Sequence, residues 1–364
     1  MRKVLHLRSS FDPGGTETLL VNLFNCKQNY FTIDLALLKK GTLIDQLTHN
    51  SNAVHHLYRK RFFDLSVFKK LKRLVGEHRI TVVHTHQFIE LFYAVALKIM
   101  NPRLKLIHHI HLMFSRRNTA FYLERFLSQR FATIVTVSRA SKDELVRSFG
   151  FDNDKIHLLY NAVQFLESDA LDHQKAKLLL KVPPAKGAFN VVMVANFIWG
   201  KDHETLFKAY HQFIREQLPQ VNLYFVGRES EISERLRKTY LQSEDIDQGR
   251  VVFTGPIPNA RVLLPLFDMV IMSCFSETFN LALVEAAAMG KVILASDIAV
   301  FRELSDEGKY FHLFKTGDAR NLFESLDSLV KNFGEVSKID HSQYFREKFG
   351  FNNFVRSLDK IYAS

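Results

Sequence analysis

Cysteine is nearly absent: Cys26 and Cys274 are the only two in 364 residues. Two distant thiols make neither a disulfide framework nor a cysteine metal spacing, and they fit a reducing compartment. Long hydrophobic runs are also missing. No stretch reaches the roughly 18 apolar residues of a membrane span. The longest candidate, Phe88 to Met100, carries Glu90 and Lys98 and predicts a buried helix. The apolar start, Val4 to Leu7, is too short for a secretion signal, so a cytoplasmic chain is expected. A Gly-x-Gly-x-x-Gly fingerprint is absent, which removes the usual dinucleotide signature. No nucleic-acid reader motif is recognisable, and no nucleic-acid partner is expected.

Charge is plentiful and uneven. The net charge is +11. Residues 1–180 hold 27 Lys and Arg against 15 Asp and Glu, whereas residues 181–364 hold 22 against 23. A basic first half suggests a polyanionic or membrane-surface partner. Residues 59–75 predict a basic amphipathic helix with Phe63, Val67, Leu71 and Leu74 at helical spacing, either lying on an anionic membrane or turning a cationic face to solvent. The preceding Arg59-Lys60-Arg61-Phe62-Phe63 is the better membrane candidate.

Apolar segments alternate with helical ones along the whole chain, which predicts doubly wound parallel sheets. A Gly14-Gly15 turn separates the first strand from the first helix and lets backbone approach a ligand. Histidines His84, His86, His108, His109 and His111 crowd the ends of two strands. Adjacent strand residues point to opposite faces and no acidic or cysteine ligand stands at suitable spacing, so no metal is expected there. His86 and His111 instead fall at the carboxyl ends of strands, where α/β sites form. Arg116 and Arg117 follow in a loop that can meet a phosphate. Ser138 predicts a helix cap, with Asp143 and Glu144 in the first turn. Residues 164–188 are polar, with Pro183, Pro184 and Gly187, and read as an interdomain link.

The most informative stretch is Ser276 to Gly290. A buried strand, Met269 to Met272, precedes it, and Gly290 closes an Ala- and Leu-rich helix. Inside stands one charge, Glu285, which needs a partner. Glu277 lies eight residues earlier, where strand meets helix and anions bind. From the residues alone, Glu285 either pairs with a buried Arg or Lys or serves a ligand.

The whole string resembles the glutamate–seven residues–glutamate signature of family 4 retaining glycosyltransferases: a preceding strand, a Ser, an aromatic (Phe279) after the first Glu, and an Ala-rich helix ending in Gly. The resemblance extends over nearly the whole chain through the Gly14-Gly15 loop, His111, Asn161, Lys201, Glu277 and Glu285. It implies an α/β fold of two facing Rossmann-like doubly wound domains (GT-B), with the C-terminal helix crossing back to the first. The boundaries expected are 1–165 with 345–364, a link over 166–188, and 189–344.

The implied activity is metal-independent transfer of a hexose, with retention, from a nucleoside-diphosphate sugar to an acceptor hydroxyl in cell-envelope polysaccharide or glycolipid synthesis. No cofactor is implied beyond the donor, a UDP-sugar ahead of a GDP-sugar. A lipid-linked or saccharide acceptor and a peripheral site on an anionic membrane complete the expectation. His111, Lys201 and Glu277 are the implied catalytic residues. Gly14, Gly15, Asn196, Lys201, Thr278, Phe279, Asn280, Leu281 and Glu285 are the implied donor-binding ones. Asn196 stands where the family has an arginine. A nucleotide-sugar 2-epimerase and a non-catalytic partner of a glycosyltransferase share the architecture.

Overall fold

The computed structural model describes residues 1–28, 30–47, 53–111, 117–164, 176, 178–180 and 182–364. The chain divides into two compact units, one of Met1–Val163 with Phe349–Ser364, the other of Gln164–Lys348. Glu167, Asp169 and Asp172 of the expected link, and Arg116, lie outside the described residues.

The first unit is built on a seven-stranded parallel sheet. Its strands are β1 (Arg2–Arg8), β2 (Phe31–Leu37), β3 (Val54–His56), β4 (Val82–Thr85), β5 (Lys105–Ile110), β6 (Thr133–Thr136) and β7 (Ile156–Leu158), in the order β3-β2-β1-β4-β5-β6-β7. The central strands are almost wholly buried because helices cover both faces, which is why they read as continuous apolar runs. One face carries the helix Gly15–Asn25 and the C-terminal helix Phe351–Ala363. In the latter, Phe354, Val355, Leu358, Ile361 and Tyr362 recur at helical spacing and pack on Leu19, Leu20 and Phe31. The other face carries Leu65–Glu77 and Phe88–Met100 through Val67, Leu71, Leu91 and Tyr93.

The basic amphipathic helix is shorter than expected. It begins at Leu65 because the Asp64 side chain accepts from the Ser66 amide and caps it, which leaves Phe63 outside the helix and exposed. Ser138 caps its helix as expected, by accepting from the Ser141 amide. That helix starts at Arg139, so Asp143 and Glu144 fall beyond its first turn.

The second unit has a six-stranded parallel sheet of β8 (Phe189–Val194), β9 (Val221–Val226), β10 (Val251–Gly255), β11 (Met269–Met272), β12 (Val292–Ser296) and β13 (His312–Phe314), ordered β10-β9-β8-β11-β12-β13. Each unit therefore reverses its strand order once, at β1/β4 and at β8/β11. Open α/β sheets bind ligands beyond the carboxyl ends of the strands at that reversal.

Candidate functional site

Of the residues named from the sequence, those in the second unit gather at the β8/β11 reversal. Two loops are stitched together there by backbone. The Asp202 amide donates to the Ser273 carbonyl and the Phe275 amide to Gly200, each at 2.9 Å, and Lys201 bridges Cys274. The stitching places the Lys201 ammonium in an ion pair with Glu277, each side chain 16% exposed. Burial pulls the lysine down, but Cys274 and Glu277 outweigh it and the net direction is up. Burial itself raises the Cys274 thiol to about 12.

Asn280 joins the two carboxylate positions. Its Oδ1 accepts from the Leu283 amide at 3.0 Å and caps the helix Leu281–Ala288, while its Nδ2 reaches Glu277 at 3.4 Å. The helix thus starts five residues later than Ser276, because Ser276 to Asn280 form the turn that holds Glu277. The Thr278 amide donates to Glu277 at 3.1 Å, and Phe279 is buried. Gly290 ends this segment at φ 70°, the left-handed cap the sequence predicts.

Glu285 lies on the second turn of that helix, 3.6 Å from an Arg261 guanidinium that also donates to the Gln164 carbonyl at 2.7 Å. Burial raises the Glu285 carboxyl to about 7, against the pull of Arg261. Arg261 went unmarked in the sequence, although it is a lone cation in the apolar run Ala260 to Leu264 and Glu285 required a partner. At Asn196, the expected arginine position, the side-chain oxygen accepts from the Arg228 amide at 2.8 Å. A cavity of about 120 Å³ in this unit is lined by Gly290, Lys291, Tyr310 and Phe345, and contains none of Lys201, Glu277 or Glu285.

In the first unit the β1/β4 reversal is organised by Arg8, a residue that attracted no attention in the sequence. It is fully buried and pairs with Glu90 at 3.3 Å and with Glu17. The Glu90 carboxylate also accepts from the Ser9 and His86 amides at 2.6 Å and from Gln87 at 3.0 Å, tying the ends of β1 and β4 together. Burial raises its pKa, and Arg8 and these amides oppose the rise. Glu90 was visible as the one acid in an apolar helix. Gly14 precedes the helix that carries Glu17, and a Cβ there would lie 2.6 Å from the Glu17 carboxylate, so a side chain at this position would push that carboxylate aside. Gly15 is the first residue of that helix. Arg117 donates to the Ser148 carbonyl.

The histidines correct the sequence reading. Alternate residues of an extended chain share a face, so His84 of β4 and His86 just past its end, with His109 of β5 and His111 just past its end, come together, and His6 of β1 joins them. Two overlapping groups, His6/His84/His86 and His86/His109/His111, bring their ring nitrogens within 4.8 Å. His108 alone points away, to Glu124 at 3.0 Å. Two Asp-x-Asp spacings also occur. Asp152 caps a turn by accepting from the Asp154 amide, and buried Asp245 accepts from the Tyr210 hydroxyl.

Two parallel-sheet units, each with polar groups massed at its strand-order reversal, match the architecture of GT-B glycosyltransferases. The family description Glycosyltransferase Family 4 matches residues 13–165, and Glycosyl transferases group 1 matches residues 188–332. The chain belongs to the family 4 glycosyltransferases. A 41.2 kDa uncharacterized protein of the cps region of Klebsiella pneumoniae is 24% identical over 82% of this chain and 83% of its own length. The N-acetyl-alpha-D-glucosaminyl L-malate synthase of Bacillus anthracis is 22% identical over 82% and 79%. Among solved structures, Anabaena HepE in complex with UDP and glucose superposes with a TM-score of 0.80 at 19% identity, with full coverage of both chains.

Proposed function

We propose that this glycosyltransferase moves a hexose, with retention and without a metal, from a UDP-sugar to an acceptor hydroxyl in cell-envelope polysaccharide or glycolipid synthesis. The observation that carries the reading is the Lys201–Glu277 pair at the β8/β11 reversal, with Glu285 on the helix that follows. The cps-region relative and the UDP complex of HepE support the pathway class and the donor.

The chemistry then runs as follows. The bond from the sugar's anomeric carbon to the diphosphate oxygen breaks, a bond to the acceptor oxygen forms on the same face, and the acceptor proton passes to the leaving diphosphate. Charge grows on that diphosphate, and a preorganised cation and backbone amides stabilise it most where water is scarce. Lys201 supplies the cation by exchanging its partner Glu277 for phosphate, and the segment Thr278 to Leu281 supplies amides. Gly14 and Gly15 let backbone approach the donor, and Asn196 offers hydrogen bonds without charge. Glu277, released from Lys201, binds sugar hydroxyls and steadies positive charge at the anomeric carbon. Glu285 accepts hydrogen bonds from the ribose hydroxyls. His111 contacts the transferred sugar, the role the family resemblance gives it.

The acceptor is lipid-linked or saccharide. Phe62, Phe63 and Leu65 are exposed beside Lys60 and Arg61, and this apolar and cationic surface supports a peripheral position on an anionic membrane at its cytoplasmic face.

The test is nucleotide release from a panel of UDP- and GDP-sugars, without acceptor or metal, for wild type and Glu277→Gln. Slow hydrolysis of one UDP-sugar, lost in the variant, is expected. Conversion of a donor to its epimer, or no donor binding at all, overturns the assignment in favour of the epimerase or the non-catalytic partner.

A further inference from the structure

Among the described residues, one group of metal-ligand side chains mixes imidazole with carboxylate: Asp34, His55 and His78, whose ligand atoms lie within 4.8 Å of one another. Three separate elements supply it. Asp34 is in β2, His55 is in β3, and His78 follows the helix Leu65–Glu77 as its C-cap. His55 stands opposite Ala36, two residues along from Asp34, so both side chains share the face of the sheet that this helix covers.

Both imidazoles converge on a single carboxylate oxygen. Asp34 Oδ2 is 2.8 Å from His78 Nδ1 and 3.3 Å from His55 Nε2. The two rings stand 88° apart with centroids at 4.7 Å, so they meet at the oxygen without stacking. A hydrogen bond accounts for the first distance. The second is long for a charge-assisted N–H···O bond, which runs about 2.7–2.9 Å. It matches instead two ligands of one ion: with bonds of about 2.0–2.2 Å to a tetrahedral zinc, ligand atoms lie about 3.3 Å apart. His78 would have to draw back by about half an ångström to reach that spacing, and its side chain, 34% exposed, has room to do so.

Electrostatics favour a cation here. Burial raises the Asp34 carboxyl, but hydrogen bonds from His55 and His78 outweigh it and the net direction is down. The negative carbonyl end of the helix Leu65–Glu77 also falls at His78, and a helix C-terminus attracts positive charge. The histidine stack of the same unit lacks both advantages. Its groups contain no carboxylate, and the buried Arg8 opposes positive charge at His6, His86 and His111. Ligand type then selects the metal. Magnesium and calcium take oxygen ligands, whereas two imidazoles with one carboxylate suit zinc and its transition-metal neighbours. The partial exposure of His55 and His78 leaves a further position to water.

We propose that Asp34, His55 and His78 bind one divalent transition-metal ion, zinc by their chemistry, which fastens the edge strand β3 and the end of the helix Leu65–Glu77 to β2. The role is structural. β3 has only three residues and a single neighbouring strand, so the sheet alone holds it weakly. The group lies on β2 and β3, off the β1/β4 reversal, so the proposal is independent of the transferase reading and of its metal-free chemistry.

The test uses the full chain without a histidine tag, stripped by a chelator and titrated with zinc sulfate against a chromophoric competitor. One zinc per chain is expected, with a Kd of about 10 µM or tighter. His78→Gln, at a partly exposed helix cap, should fold and weaken binding at least about hundredfold, as should Asp34→Asn. X-ray absorption of the zinc-loaded chain should show two imidazoles among oxygen donors at about 2.0–2.2 Å. Zinc should also slow amide exchange in Val54–His56 by about tenfold or more. Three imidazoles on the ion would place it in the histidine stack and overturn the proposal. So would weaker binding to wild type, unchanged affinity in His78→Gln, or β3 exchange that ignores zinc. None of these readouts involves sugar transfer, so the zinc site and the transferase assignment can fail separately.

Discussion

Glu285 gives a sharp prediction because burial has already moved it. Its carboxyl titrates at about 7 in the ligand-free chain. Ribose hydroxyls donate to the ionised form, so nucleotide binding selects that form and releases a proton from the rest. The ionised fraction is about 0.1 at pH 6 and about 0.9 at pH 8, so UDP affinity should rise nearly tenfold between them, about 1.4 kcal/mol. UDP has its own phosphate titration, which a Glu285→Gln variant shares; the ratio of wild-type to variant affinity isolates Glu285. That ratio should climb with pH and level off above 8. Trp199 is the only tryptophan, two residues from Lys201 and strongly exposed, and its fluorescence offers the binding signal. The same titration has the opposite sign for stability. A carboxyl whose folded pKa is raised stabilises fully below its unfolded value of 4.5, and that contribution, at most about 3 kcal/mol, is lost as pH rises through 7. A pH-independent ratio, or equal affinity of both proteins at pH 8, refutes a ribose-binding carboxylate at Glu285.

Two further predictions concern backbone and surface. A Cβ at Gly227 would meet the Ala195 carbonyl oxygen at 2.2 Å and the Asn196 nitrogen at 2.9 Å. Backbone cannot yield as a side chain can, so Gly227→Ala should cost more than about 3 kcal/mol in a denaturant melt. Gly14→Ala, which displaces only the end of Glu17, should cost about 1 kcal/mol; equal costs would show that the β8 loop is looser than its contacts imply. Phe62→Ser with Phe63→Ser should reduce co-sedimentation with phosphatidylglycerol vesicles about ten- to thirtyfold, given about 1 kcal/mol for each half-exposed ring, and retained binding would move the membrane contact elsewhere.

The sequence carried the order of most strands and helices, since those strands are short apolar runs, while the edge strands β3 and β13 are too short and too polar to show. It also carried Glu285, because a lone charge in an apolar helix is a local signal, whereas Lys201 and Glu277 were marked by the family resemblance. Gly290 and the Ser138 cap were legible for the same reason: both act within a few residues of themselves. The start of the helix at Leu65 was misread because Phe63 continued the apolar spacing, and only the Asp64 cap breaks it.

What tertiary structure alone decided are the partners. Arg8 and Glu90 are 82 residues apart, and His84 and Tyr362 are 278 apart, so no window of sequence contains either pair. Their meeting depends on which strands become neighbours and on where the C-terminal helix docks. The histidines show the difference most plainly. The alternation that sends His108 and His109 to opposite faces was readable, and it argued against a cluster. Only the adjacency of β1, β4 and β5 turned that same alternation into a stack, by laying alternate residues of three strands side by side on one face.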